Sequence, residues 1–116
     1  MSSAWNIALS GLRACEIKTS VNASNIANVN TEGFKKSRVA LREAANGGVQ
    51  VTLSQVSLPG VPPGLNAETG EVSEFSNVDL AESFVDQIVT RHAFAANATM
   101  LRTAAEMQQT LLDILA

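Results

Sequence analysis

Few side chains in this sequence are of types that carry out chemistry. His92 is the one histidine and Cys15 the one cysteine. A structural zinc site takes four ligands, so this pair cannot close one. No local motif ties His92 to a nucleophile, and beside Arg91 it reads as a solvated or interfacial residue. Cys15 falls within an apolar helical pattern and reads as a small buried thiol. Asp79, Glu82 and Asp86 suit the opening turns of a helix, whose macrodipole favours acids there without any metal. Gly47–Gly48 and Pro62–Pro63–Gly64 are turn formers, and neither leads into the lysine-bearing helix of a phosphate loop. We therefore expect no catalytic set, no metal, no cofactor and no enzyme.

The side chains that do stand out are amides. Residues 22–30 read NASNIANVN, and Asn22, Asn25 and Asn28 keep a three-residue step along one helical face. Each amide offers two donors and an acceptor. In water such groups compete with the helix backbone; between packed helices they fix register, as a buried Asn does in a coiled coil. Composition leaves a frayed helix end and a register device equally open. Thr31, Glu32 and Gly33 stop the helix, with Gly33 supplying the φ > 0 position.

The elements that hold these residues follow from periodicity. From residue 3 to about 30, Ala4, Ala8, Leu12, Cys15 and Ile26 recur at helical spacing, flanked by Ile7, Gly11, Ala14 and Val21. Gly11 costs about 1 kcal/mol in a helix; it reads either as a tolerated defect or as the close approach of another helix. From 79 to 115 Leu80, Phe84, Phe94, Ala98, Leu101, Ala105, Leu112 and Leu115 form a longer stripe, widened by Val85, Ile88 and Ala95. Asp79 with Glu82 gives a reciprocal cap at its start. A helix of that length has only the N-terminal helix to lie on. Between them, residues 31–75 read as an extended turn and a β-hairpin. Val49, Val51 and Leu53 alternate with polar residues, a parity change at Val56 and Leu58 predicts a bulge near Ser54–Gln55, and EVSEF reads as the return strand after a Pro-Gly-rich loop. Lys35, Lys36 and Arg38 read as a solvated turn.

The chain has 116 residues, 46% of them hydrophobic but 4% aromatic, and a net charge of −3. That is one small unit, 1–116, whose alanine-rich apolar share buries little surface. The scattered basic residues lack the footprint of a nucleic-acid binder. The first residues have no basic n-region, and no run reaches the length of a membrane span. On these grounds alone the chain reads as cytoplasmic, with no direct membrane insertion.

ALSGLRACEIKTSVNASNIANVNTEGFKKSRV, residues 8–39, resembles the N-terminal signature of the bacterial flagellar rod and hook family, and SNVDLAESFVDQIVTRHAFAANATMLRTAAEMQQTLLDIL, residues 76–115, resembles its C-terminal signature. The resemblance departs at Glu32, where the family often has proline, and at Arg91–Phe94. It implies a mainly α fold: N- and C-terminal long helices paired as an α-helical coiled coil, joined by a short β-hairpin or extended arm. It also implies a structural subunit of the flagellar basal-body rod, self-assembling by helical stacking to transmit torque. Its partners would be copies of itself, other rod and hook proteins and the flagellar export apparatus. This revises the location to the cell-envelope rod, reached by export without a cleaved signal peptide. Hook and distal-rod members carry large domains between the signatures; here there is room for a hairpin alone, as in small proximal-rod members, although SNVDLAE is closer to the distal-rod and hook branch. The residues expected to make subunit contacts or set register are Leu12, Asn22, Asn25, Ile26, Asn28, Asn30, Gly33, Phe34, Asn77, Asp79, Phe84, Ile88, Phe94, Asn97, Leu101 and Leu112. The alternative is a helical adaptor or chaperone that grips one partner without polymerising.

Overall fold

The computed structural model describes residues 2–58, 64–65, 72–73 and 75–116. The fold is mainly helical, with two long helices and a small antiparallel hairpin. Helix α1 spans Ser2–Ala27 and helix α2 spans Leu80–Leu115, so α2 alone is about 54 Å long. Between them lie β1 (Ser37–Glu43), β2 (Val49–Gln55), β3 (Gly64–Leu65) and β4 (Val72–Ser73).

α1 ends at Ala27, before the asparagine-rich stretch is complete. Asn28 turns its Nδ2 back onto the Ser24 carbonyl at 2.8 Å, and Thr31 Oγ1 donates to Asn28 Oδ1 at 3.0 Å. These local bonds compete with further helical turns. Gly33 then adopts φ 72°, a conformation that a side chain would strain. α2 is capped by Asp79, whose Oδ1 accepts from the N–H groups of Ala81 at 2.9 Å and Glu82 at 3.4 Å. The reciprocal half of the expected cap is replaced: the Glu82 carboxylate pairs instead with Lys36 Nζ at 3.2 Å.

The helices run antiparallel. Lys18 and Asn22 meet Asp86, and further along Gly11 meets Asn97. Along α1 Ala8, Gly11, Cys15, half-buried Lys18, Asn22 and Asn25 fall alternately three and four apart, and buried Ala14 lies beside this line. Along α2 Ser83, Thr90, Asn97 and Ala104 follow at seven-residue steps. The seam between the helices is therefore lined by small and polar residues. This corrects the expectation that the large apolar stripes pack against each other. Phe84 and Ile88 remain more than half exposed, whereas Thr90 is only 2% exposed. Gly11 is explained by close approach, since a Cβ there would stand 2.7 Å from Asn97 Oδ1.

The hairpin pairs β1 with β2 in an unbroken register from Ser37↔Gln55 to Glu43↔Val49. Two expectations are corrected. The partner of β2 lies upstream, so Arg38 sits in a strand rather than a turn; and no bulge interrupts Ser54–Gln55, because the Val56 N–H carries the ladder on to the Lys36 carbonyl at 2.9 Å. The expected return strand at 71–75 contributes Val72–Ser73, paired with Gly64–Leu65; Glu71 and Glu74, and most of the expected Pro-Gly-rich loop, lie outside the described residues.

The hairpin is pinned along α1 at both ends. Asn25 holds Ser37 at one end, and at the other the Val49 N–H donates to Ser10 Oγ at 3.0 Å. From Ser10 to Asn25 the helix rises about 22 Å, which a seven-residue strand matches. At the Ser10 end Gly48 is buried with no room for a Cβ, which would meet Ser10 Oγ at 2.8 Å.

Candidate assembly interface

The amides predicted to set register are spent largely within the chain. Buried Asn22 donates to Asp86 Oδ2 at 2.9 Å, beside the Lys18–Asp86 ion pair at 3.0 Å. Buried Asn25 exchanges two bonds of 3.0 Å with the backbone of Ser37. Asn77 performs a similar task at the hairpin's open end. Its Oδ1 accepts from the Lys36 N–H at 2.6 Å, and its Nδ2 donates to the carbonyls of Val56 at 2.9 Å and Leu58 at 3.0 Å. One side chain thus ties both strands to the approach of α2. Asn97 donates to the Ala93 carbonyl at 3.0 Å and fills the space over Gly11. Asn28 is half-buried in the turn after α1, and Asn30 and Gly33 are exposed.

Of the apolar residues expected at contacts, Leu12, Ile26, Phe34 and Leu101 are half-buried within the chain. Phe84, Ile88, Phe94 and Leu112 are exposed. Leu112, near the end of α2, is 61% exposed.

Beyond Val85, which the sequence reading set at the edge of the α2 stripe, that reading missed a second apolar flank. Val85, Val89, Met100, Met107 and Ile114 are separated by steps of four, eleven, seven and seven residues, near whole turns of an α-helix. They form one uncovered line along α2, a quarter-turn from the seam. Val89 is 56% and Ile114 74% exposed. Near its end, Met107, Leu111 and Ile114 line a shallow apolar groove with Thr103, Glu106 and Thr110. The missed signal was the wide apolar arc of α2, which exceeds what a single helical partner covers.

The shape has the same implication. The radius of gyration is 20.2 Å and the accessible surface 8175 Å². A compact chain of this length and mass would have about 13 Å and about 6,000 Å². Among the described residues no large side chain is fully buried. His92 is exposed on α2, no described group of acidic, histidine or cysteine side chains has the makings of a metal site, and no described helix is long and apolar enough to cross a membrane.

Two long helices thus keep small and polar residues between them and leave large apolar ones exposed. The family described as flagella basal body rod protein matches residues 6–35, and that described as flagellar basal body rod FlgEFG protein C-terminal matches residues 70–114. The flagellar hook protein FlgE of Borreliella burgdorferi is 40% identical over 72 residues, covering 62% of this chain and only 15% of that relative. At both ends the chain is similar to the flagellar rod and hook family, whose proteins are structural and not enzymes.

Proposed function

We propose that this chain is a structural subunit of the flagellar basal-body rod that polymerises into a helical filament and transmits torque. The observation that carries this reading is the inversion of side-chain size: small residues line the intramolecular seam, and the large apolar residues of α2 face outward. Isolated chains rarely leave such surface uncovered. The three- and four-residue alternation of buried positions supports coiled-coil pairing of α1 with α2. Rod rather than hook is favoured by the short segment between the two matched ends. The contacts are heterologous, joining different surfaces of successive copies, and such contacts build open filaments rather than closed rings. Phe84, Ile88, Phe94 and Leu112, with the flank from Val85 to Ile114, form them. Asn25 and Asn77 set register indirectly, by fixing where the hairpin sits. Delivery through the flagellar export apparatus, followed by assembly with other rod and hook proteins in the cell envelope, completes the reading.

Concentration-dependent growth of long particles, followed by light scattering, tests it. Wild-type chain is expected to grow, and Val89→Asp/Met100→Asp is expected not to. A discrete dimer or one-to-one complex at every concentration would replace the polymer with an adaptor.

A further inference from the structure

Charge in this chain is segregated. Lys35, Lys36, Arg38 and Arg42 include half of its eight basic residues, and no lysine or arginine occurs between Arg42 and Arg91. Glu68, Glu71 and Glu74 fall in that acidic interval at three-residue steps. On the hairpin Arg38 and Arg42 project from one face of β1, the face shared with Ala40 and, across the ladder, with Gln50, Thr52 and Ser54. All six are exposed. Lys36 is engaged with Glu82, but among the described residues neither the Arg38 nor the Arg42 side chain has an ion pair or hydrogen-bond partner. On the opposite face of the hairpin Val39, Val49 and Val51 are half-buried, while Leu41 and Leu53 are exposed. The arginine face is therefore held rigidly outward, because Asn25 and Ser10 pin both ends of the hairpin to α1.

We infer that Arg38 and Arg42 form a docking face for the acidic segment 68–74 of a neighbouring copy. The inference rests on the polymer reading and adds to it a specific contact between copies. Charge complementarity identifies the occupant. The segment carries three acids and no base, and the face two arginines and no acid. Because neither arginine side chain has a partner among the described residues, a second copy is taken as the source of one. Surface pairs of this kind contribute little energy individually; across an interface they steer association and select register. Torque passed along a filament would load this contact as well as the apolar flank, and a rigid hairpin transmits load better than a free loop.

Two charge-reversed chains test it. One carries Arg38→Glu/Arg42→Glu, the other Glu68→Lys/Glu71→Lys/Glu74→Lys. Each alone places like charges opposite one another in every copy, and its critical concentration for growth at low salt is expected to rise about tenfold. In 1 M salt, where the screening length is about 3 Å, the difference from wild type is expected to vanish. An equimolar mixture of the two chains restores opposite charges at each contact between unlike copies and is expected to recover growth. If either variant alone grows like wild type, or if the mixture fails, the inference is overturned. If the mixture fails while a single chain carrying all five reversals recovers, the contact lies within one chain and the inference is again overturned. Failure of wild-type chain to grow at any concentration would instead remove the polymer reading beneath it.

Discussion

Asn25 and Ser37 exchange a pair of hydrogen bonds: the amide Nδ2 donates to the Ser37 carbonyl and the Ser37 N–H donates to Oδ1, each at 3.0 Å. The side chain stands in for a neighbouring strand and fastens the first residue of β1 to α1. Asn25→Ala leaves two polar backbone groups without these partners, at a cost of about 2 kcal/mol. Denaturant unfolding should register that loss, and the Ser37 amide should lose its protection against hydrogen exchange. Asn28→Ala, which removes two exposed bonds, to the Ser24 carbonyl and from Thr31 Oγ1, should cost less, about 0.5 to 1 kcal/mol.

The hairpin's other anchors should act independently of Asn25. Ser10→Ala removes the acceptor of the Val49 N–H, and Asn77→Ala removes three contacts at the open end. Each should cost about 1 to 2 kcal/mol. Combining Ser10→Ala with Asn25→Ala should free the hairpin from α1 while the helices persist. Amide exchange across β1 and β2, set against unchanged exchange near Thr90, checks this.

Gly11 and Asn97 make a coupled pair. In a lone helix Gly11→Ala would gain about 1 kcal/mol. Here the new methyl meets the Asn97 amide, which must leave its bond to the Ala93 carbonyl. Gly11→Ala should therefore give no gain in the wild-type background and recover about 1 kcal/mol in the Asn97→Ala background. A double-mutant cycle measured by thermal unfolding reads the coupling directly.

The outward flank should behave in the opposite way to a core. Val89→Asp/Met100→Asp removes apolar surface that no described residue covers, so monomer unfolding at low concentration should shift by less than about 0.5 kcal/mol per site. Growth of long particles should be abolished. A large loss of monomer stability would mean that the flank is covered within the chain.

The long helices were legible because periodicity survives over many turns, and Asp79 marked the start of α2 unambiguously. What could not be read was direction. The stripe containing Phe84 and Ile88 was rightly apolar, but sequence alone does not say whether a helix turns its largest residues toward its own chain or away from it. β1 was hidden because apolar Ala40 blurs the alternation of Arg38 and Arg42 with Val39 and Leu41. The roles of Asn25 and Asn77 depend on partners distant in sequence, Ser37, Val56 and Leu58, which no local pattern announces. Gly11 was ambiguous for the same reason: its explanation, Asn97, lies on another helix.

The narrow seam from Ala8 to Asn25 and from Ser83 to Ala104 has a thermal consequence. With so little grease between its own helices, the chain has a low melting temperature of its own to build on. In the proposed polymer its midpoint climbs above that of the lone chain as copies accumulate over Val89, Met100 and Ile114. Heat resistance in such a polymer would owe more to the crowd than to the individual molecule.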